Sequence, residues 1–247
     1  MRMNRTLSNF IKSVFSSSGL FIARQHSDRV AGYSLTNDLK VVIQKDNPVC
    51  FDVGANQGQT IQLLQSCYPR AVIHSFEPSS ATYKILAGQP FGSLVKFHQI
   101  ALGERVGVAK FRNYEHSDLS SFLAMNPDKV ENIFAEEEMV LVESVRVDTL
   151  DHFCSVQGVE RVDLLKIDTQ GFELPVLCGG TDLFSKQRIG AVLLELNFAP
   201  LYEGQSDVLE ILHLLRTHNM RLVDYYEKER VAGEEILWTT ALFMHRA

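Results

Sequence analysis

Short apolar runs alternate with segments of helical periodicity from residue 49 onward. The runs have the length of buried strands, and the segments between them repeat apolar residues every three or four positions, as helices do. The predicted strands are 49–53, 71–76, 94–100, 162–167 and 191–196, and the predicted helices are 60–67, 79–87 and 172 to about 184. Strands that alternate with helices indicate βαβ units. The pattern therefore predicts an α/β fold with a parallel sheet covered on both faces.

The end of the chain follows a different pattern. It predicts a helix at 206–217 and then two strands, at 220–225 and 237–245, on either side of a turn region around Gly233. Two successive strands joined in this way are expected to pair as an antiparallel hairpin. Together these elements predict one α/β domain over residues 47–247, preceded by an N-terminal extension over residues 1–46.

The alternation of strands and helices is interrupted between residues 106 and 147. Strands are predicted at 106–114 and 139–147, with a polar stretch between them whose glutamate run, 136–138, we interpret as a solvated face. An insertion of this length is typical of a lid or a substrate-shaping element. A β-hairpin that only covers the edge of the sheet explains the pattern equally well.

The N-terminal extension is basic, with seven Lys and Arg against three Asp and Glu through Asp46. Apolar residues recur there at helical spacing, at Leu7, Phe10, Ile11, Val14 and Phe15. This stripe predicts a basic amphipathic helix. Three interpretations remain open: an accessory helix packed on the domain, a helix resting on an anionic membrane surface, or a transit peptide.

The composition narrows the class of protein. Hydrophobic residues make up 45% of the chain and charged residues 22%, which excludes a disordered chain, and a net charge of −6 argues against a nucleic-acid partner. No run of 18 apolar residues is present, so no transmembrane helix is expected. The four cysteines lack metal-site spacing and are expected to be free thiols. We therefore expect a cytoplasmic protein.

A glycine turn, 51–60, follows the first predicted strand and opens the first predicted helix. Gly54 and Gly58 permit a close backbone approach to a ligand at the helix N-terminus. The dinucleotide fingerprint GxGxxG fails at two of its three glycines, which disfavours an NAD-dependent or nucleotide-sugar enzyme. The carboxylate of Asp52, just before the turn, can take an ammonium group directly or through water, whereas it would repel a pyrophosphate.

An acidic residue, Glu77, ends the second predicted strand and precedes Pro78. In doubly wound sheets an acid at this place accepts hydrogen bonds from both hydroxyls of a ribose. The alternative is an acid that only stabilises the N-terminus of the next helix. Glu77 and the glycine turn together describe an adenosyl ligand without a pyrophosphate, S-adenosyl-L-methionine. The predicted cofactor-binding residues in these two motifs are Asp52, Gly54, Ala55, Asn56, Gly58, Glu77 and Pro78.

Four ordered motifs resemble the FkbM family of S-adenosylmethionine-dependent methyltransferases. They are FDVGANQG at 51–58, FEP at 76–78, VDTLD at 147–151 and DLLKIDTQGFE at 163–173. The resemblance implies a class I methyltransferase (Rossmann-like) fold, a mostly parallel seven-stranded sheet with helices on both faces, here with a β insertion before the fourth strand. It also implies O-methylation and a backbone contact from Ala101 to the adenine. One departure is Gln170, where the family often has Glu.

Two acids lie at strand ends that meet at the same edge of the predicted sheet. Asp168 ends the fourth parallel strand and Glu195 the next one, so we predict that they are catalytic and deprotonate or orient a hydroxyl. The alternative for Asp168 is to cap the following helix. A divalent metal at Asp168, Glu195 and Asn197 is conceivable on ligand chemistry, but the sequence does not support it. Lys166 is expected to pair with Asp168, and Glu173 is expected to form an ordinary ion pair.

These motifs predict an S-adenosylmethionine-dependent O-methyltransferase that acts on a hydroxyl of a sugar, glycoconjugate or natural-product acceptor. The alternative is a non-catalytic cofactor-binding or regulatory module, and Gln170 is the reason to consider it. Tyr202 is expected to rim the acceptor pocket, His98 to be a satisfied strand histidine, and Trp238 to belong to the core.

Overall fold

The computed structural model of the chain describes residues 29–231 and 235–245. The apolar stripe at 7–15 and the turn residue Gly233 lie outside the described residues. The described strands are β1 Val49–Val53, β2 Val72–Phe76, β3 Val95–His98, β4 Ala101–Leu102, β5 Gly107–Tyr114, β6 Met139–Asp148, β7 Val162–Ile167, β8 Ile189–Asn197, β9 Met220–Arg230 and β10 Ile236–His245.

Seven strands form the main sheet in the order β3-β2-β1-β7-β8-β10-β9. Strand β10 runs antiparallel to both of its neighbours, and the other neighbouring pairs are parallel. The predicted α/β architecture, its mostly parallel seven-stranded sheet and the antiparallel C-terminal hairpin are confirmed. The reversal of strand order beside β1 creates the crevice in which such sheets bind ligands.

Helices cover both faces of the sheet. They are α1 Leu35–Val42, α2 Gln59–Cys67, α3 Ser80–Ala87, α4 Leu150–Gln157, α5 Glu173–Cys178, α6 Thr181–Ser185 and α7 Val208–Thr217. Because strand side chains alternate between faces, Phe51 and Leu165 pack with α4–α7, whereas Cys50 and Leu164 pack with α1–α3. The chain thus buries one apolar core on each side of the sheet.

Two predicted elements differ in the structure. The strand predicted at 94–100 ends at His98, and Ala101–Leu102 pairs instead with β6 in a second sheet. The helix predicted from 172 to about 184 is divided into α5 and α6 at Gly179. A Cβ atom at Gly179 would lie 2.1 Å from the carbonyl oxygen of Gly103, so the close approach of these two backbones requires glycine at the break.

The insertion folds as a β-hairpin whose strand β6 pairs with both β5 and β4, in the order β4-β6-β5. Phe111, Val145 and Val147 form a small apolar core with Ala101 beneath this sheet. The hairpin is paired with β4 and with neither edge strand of the main sheet. This placement argues against an edge cover of the main sheet, and the substrate-shaping role of the insertion stays a prediction.

Part of the segment predicted as an N-terminal extension packs into the domain. Leu39 of α1 is fully buried against the main sheet, and the Tyr226 hydroxyl donates to Asp38 Oδ2 at 2.9 Å. In the described part of the chain no helix has the length and apolar character needed to cross a bilayer. All four cysteines are free, as predicted.

Candidate active site

A cavity of about 250 Å³ opens at the carboxyl ends of β1, β2, β7 and β8, beneath the insertion. Its lining residues are Val53, Gly54, Asn56, Phe76, Glu77, Pro78, Ala101, Leu102, Phe111, Ser117, Asp118, Leu119, Ser120, Phe122, Phe134, Asp168, Thr169, Gln170, Glu195, Leu201 and Trp238. Gly54 and Asn56 of the glycine turn thus share one cavity with Glu77, Asp168, Glu195 and part of the insertion.

Gly54 is held between two neighbouring strands. Its φ is +77°, and a Cβ atom there would lie 1.8 Å from the carbonyl oxygen of Asp168. The N–H groups of Gly54 and Ala55 both donate to the carbonyl oxygen of Phe76 at 3.0 Å. Gly58, at φ +96°, packs against the ring of Phe91 outside the cavity. The turn is therefore fixed by backbone contacts that no larger residue allows.

Asp52 lies beneath the turn and is completely buried, and it does not line the cavity. Its Oδ1 is 3.2 Å from Lys166 Nζ, which also donates to the carbonyl oxygen of Gly54 at 3.1 Å. Lys166 lies 3.5 Å from Asp168 Oδ2, so the predicted pairing of these two residues is confirmed. The buried position of Asp52 corrects the expectation of a carboxylate that faces a ligand: Asp52 supports the turn from behind, through Lys166.

Glu77 directly follows β2 and lines the cavity beside Pro78. Its Oε2 accepts from the N–H of Asn56 at 2.9 Å, and its Oε1 accepts from the N–H of Ser79 at 2.8 Å. Burial raises the pKa of Glu77 to about 7, against these two hydrogen bonds. Since each carboxylate oxygen can accept more than one hydrogen bond, both retain capacity for a ligand hydroxyl.

Asp168 and Glu195 come together where β7 and β8 end at the cavity, as the strand order predicts. The Nε2 amide of Gln170 bridges them, donating to Asp168 Oδ1 at 2.8 Å and to Glu195 Oε1 at 3.3 Å. Burial, followed by the charge of Asp168, raises the pKa of Glu195 well above its ordinary value. The two acids are thus held together through one side-chain amide.

The contacts of Gln170 show how the departure from the family pattern is accommodated. Its Oε1 lies 3.0 Å from the hydroxyl of Tyr202, which also lies 2.8 Å from the carbonyl oxygen of Leu119. Sequence reasoning did not identify this bridging role, because it depends on contacts between positions far apart along the chain. Tyr202 is only 2% exposed and does not line the cavity, which corrects its expected place at the rim.

The loop after β7 is anchored by Glu173, the first residue of α5. Its buried Oε1 accepts from the N–H and the hydroxyl of Thr169, at 3.0 and 3.1 Å, and from the N–H of Gly171 at 3.1 Å. Burial raises the pKa of Glu173 to about 7. The expected ordinary ion pair is wrong: Glu173 holds the loop by hydrogen bonds to its backbone.

Aromatic side chains form the wall opposite the glycine turn. Trp238 lines the cavity and packs against Phe134 of the insertion, with ring centroids 6.0 Å apart. It also packs against a buried apolar cluster that includes Leu201 and Leu237, as expected of a core residue, so only its place in the cavity lining was not predicted. The signal was present in β10, because Trp238 lies between two buried residues of the strand and must face the other side. Phe111 and Phe122 line the cavity from the insertion, and nothing in their spacing predicts this.

The remaining predicted residues have these positions. Ala101 lines the cavity, and Asn197 is buried outside the lining. His98 Nε2 lies 3.1 Å from His74 Nδ1, so it is a satisfied strand histidine as predicted, and burial lowers the pKa of both rings to about 4. Among residues 29–231 and 235–245, no group of three or more His, Cys, Asp or Glu could hold a metal ion.

Comparisons with known proteins show which family this chain resembles. The family model described as "Methyltransferase FkbM domain" matches residues 52–222. A relative named 2-O-methyltransferase NoeI, from Sinorhizobium fredii, is 29% identical over 84% of this chain and 88% of its own length. A second, named 31-O-demethyl-FK506 methyltransferase FkbM, from Streptomyces tacrolimicus, is 25% identical over 71% of this chain and 73% of its own length.

A solved structure shares the fold. The crystal structure of a methyltransferase FkbM from Methylobacillus flagellatus superimposes with a TM-score of 0.51 at 16% identity. The match covers 81% of this chain and 44% of that one, so this chain spans less than half the length of that protein.

Proposed function

Because this chain belongs to the FkbM family of S-adenosylmethionine-dependent methyltransferases, we propose that it is an O-methyltransferase whose acceptor is a hydroxyl of a sugar, glycoconjugate or natural product. One observation carries the proposal: Glu77 and the bridged carboxylates Asp168 and Glu195 line the same cavity. A carboxylate pair is suited to removing a proton from an alcohol, which is a weak nucleophile. Two relatives, named as a 2-O-methyltransferase and a 31-O-demethyl-FK506 methyltransferase, support the same reaction class.

The residues at one side of the cavity fit the cofactor. Glu77 is a buried carboxylate with free acceptor capacity, as two vicinal ribose hydroxyls require. Gly54, Asn56 and Pro78 line the cavity beside it, and we assign Ala101, which also lines it, as the adenine contact. Asp52, Ala55 and Gly58 would act indirectly, by holding the turn in place. S-adenosylmethionine supplies an electrophilic methyl group on a sulfonium when bound.

In the same cavity, Asp168 and Glu195 would act on the acceptor. With its raised pKa, Glu195 retains a proton more readily and can orient a hydroxyl by donating to it. Asp168, with Lys166 close behind it, is the group that we assign as the base for the hydroxyl proton. Since methyl transfer is an in-line displacement, positioning of the hydroxyl by these two side chains would supply most of the acceleration.

Calorimetric titration of the full chain with S-adenosylmethionine, S-adenosylhomocysteine and NAD tests the cofactor. We expect micromolar binding of the first two, about −8 kcal/mol, and none of NAD. Transfer of a tritium-labelled methyl group to hydroxylated acceptors, followed by identification of the methylated atom, then tests the reaction. Failure of both sulfur compounds to bind, or methyl transfer to nitrogen only, contradicts the proposal.

A further inference from the structure

We propose that the acceptor is an uncharged glycoside, and that sugar phosphates and nucleotide sugars are rejected. This inference rests on the proposed function and narrows its substrate class. It has two independent supports, the charge of the cavity lining and the aromatic wall.

The described lining of the cavity is acidic and contains no cationic side chain. Four carboxylic acids line the cavity, and none of its described lining residues is Lys, Arg or His. The four acids are Glu77, Asp118, Asp168 and Glu195. Lys166, which contacts Asp168 of the lining, is nearly buried beneath the turn and is already engaged by two carboxylates and the Gly54 carbonyl oxygen.

A phosphate in this cavity would lose its hydration and meet acidic side chains but no Lys, Arg or His of the described lining. Phosphate sites in proteins use Arg, Lys or a set of free backbone N–H groups. Here two N–H groups of the glycine turn donate to the carbonyl oxygen of Phe76, and the N–H of Asn56 donates to Glu77. The cavity therefore offers a phosphate neither a cationic lining side chain nor these three backbone donors.

The aromatic wall, Trp238 and Phe134, suits the apolar face of a sugar ring. Trp238 and Phe134 line the cavity with their rings inclined by 37°, and both are partly exposed. A pyranose ring presents an apolar face of C–H groups that packs on such rings, while its hydroxyls donate to carboxylates. The combination of aromatic rings and carboxylate acceptors thus matches a neutral polyol with one apolar face.

The charge preference fixes the place of methylation in a reaction sequence. Activated sugars carry a nucleoside diphosphate, and this cavity rejects that group. The reaction that supplies the acceptor must therefore be a glycosyl transfer that has already released the nucleoside diphosphate. Methylation by this enzyme follows attachment of the sugar.

The test compares matched neutral and anionic acceptors with the full chain. Tritium-labelled methyl transfer from S-adenosylmethionine is measured with methyl glycosides of glucose, galactose and mannose, and with UDP-glucose, UDP-galactose, GDP-mannose and the hexose 6-phosphates. We expect at least one neutral glycoside to be methylated at least tenfold faster than its anionic counterparts. Equal or faster methylation of an anionic sugar overturns the inference, and so does methylation of no neutral glycoside by protein that binds S-adenosylhomocysteine. Loss of S-adenosylhomocysteine binding itself would instead count against the proposed function.

Two variants test whether the charge of the cavity lining causes the preference for neutral acceptors. Asp118→Lys adds a cation to the lining of the cavity, and we expect it to reduce the preference for neutral acceptors at least threefold. Glu138→Lys makes the same change of charge on an exposed residue of the insertion outside the lining and should leave the preference unchanged. An equal effect of both substitutions, or of neither, contradicts an electrostatic origin of the selectivity.

A second pair of variants tests the aromatic wall. Trp238→Leu is expected to weaken methylation of neutral glycosides at least tenfold through KM while S-adenosylhomocysteine affinity is retained. Phe198→Leu, at a half-exposed aromatic residue outside the lining, is the matched control and should behave as the unmodified chain. Unchanged KM in the Trp238 variant would exclude packing of the sugar on this ring.

Discussion

Gln170 Nε2 donates a 2.8 Å hydrogen bond to Asp168 Oδ1, and the same amide nitrogen lies 3.3 Å from Glu195 Oε1. An amide nitrogen has two protons, one for each carboxylate, and the amide oxygen is then left to face the Tyr202 hydroxyl. Where the FkbM family often has Glu, Gln170 thus bridges the two acids without adding a third carboxylate. The non-catalytic interpretation that Gln170 motivated has no support in this arrangement.

The first prediction concerns Gln170→Glu. A third carboxylate would contact two others, so the folded state raises its pKa and the variant loses stability as pH rises above the ordinary pKa of Glu. We expect a free energy of unfolding close to that of the unmodified chain at pH 5 and lower by about 1–3 kcal/mol at pH 8. Urea unfolding at both pH values measures this.

Gln187→Glu is the matched control, because Gln187 also has a positive φ but is exposed and away from the carboxylates. Its stability should show the pH dependence of the unmodified chain. If the two variants lose stability in parallel, the bridge between Asp168 and Glu195 has no electrostatic role.

The second prediction assigns the base. Asp168→Asn keeps an oxygen that can accept from Gln170 but removes the charge that would take a hydroxyl proton. We expect turnover to fall by roughly 10²–10⁴-fold, the usual contribution of general acid–base catalysis. Cofactor affinity should change by less than about threefold, since the substitution is isosteric. Turnover equal to that of the unmodified chain would remove Asp168 from the chemistry.

The third prediction concerns the ribose. Glu77→Ala removes both carboxylate oxygens from the cavity, and we expect S-adenosylhomocysteine to bind at least tenfold more weakly, about 1.4 kcal/mol or more. Glu104→Ala, at an exposed acid outside the cavity, is the calorimetric control. An unchanged affinity in a folded Glu77 variant would contradict the ribose assignment.

The strand pattern predicted where four residues of this site lie. Parallel strands end at one edge of a sheet, and each predicted strand is marked by an apolar run in the sequence. This places four residues that lie next to or within such strands: Gly54, Glu77, Asp168 and Glu195. The place of Trp238 in the cavity lining was not predicted even though its strand was, because which face of β10 meets a cavity depends on the insertion. Contacts of the insertion are set by tertiary packing, which local periodicity does not encode.

The fourth prediction is a pH dependence of stability that originates at Glu173. Its pKa is raised to about 7 in the folded state, so its contribution to stability is complete below the ordinary pKa of Glu and is lost as pH rises through about 7. Glu173→Gln resembles the protonated form, keeping an oxygen for the N–H groups of Thr169 and Gly171. We expect the free energy of unfolding of the variant, relative to that of the unmodified chain, to rise by up to about 3 kcal/mol from pH 5 to pH 8. If the free energies of unfolding of both proteins, measured with urea, change in parallel with pH, the pKa of Glu173 is not raised by folding.

The fifth prediction separates close approach from backbone strain at the glycine turn. Gly54 and Gly92 both have positive φ, at +77° and +83°, but a Cβ atom at Gly92 meets nothing within 4 Å, whereas one at Gly54 meets the Asp168 carbonyl oxygen at 1.8 Å. Gly92→Ala should therefore cost only about 1 kcal/mol for the left-handed conformation. Gly54→Ala must also push β1 and β7 apart, and we expect a loss above about 3 kcal/mol or failure to fold. Similar unfolding free energies for the two variants would show that the turn can move away from Asp168, and the close packing that places Asp168 at the edge of the cavity would then not depend on glycine.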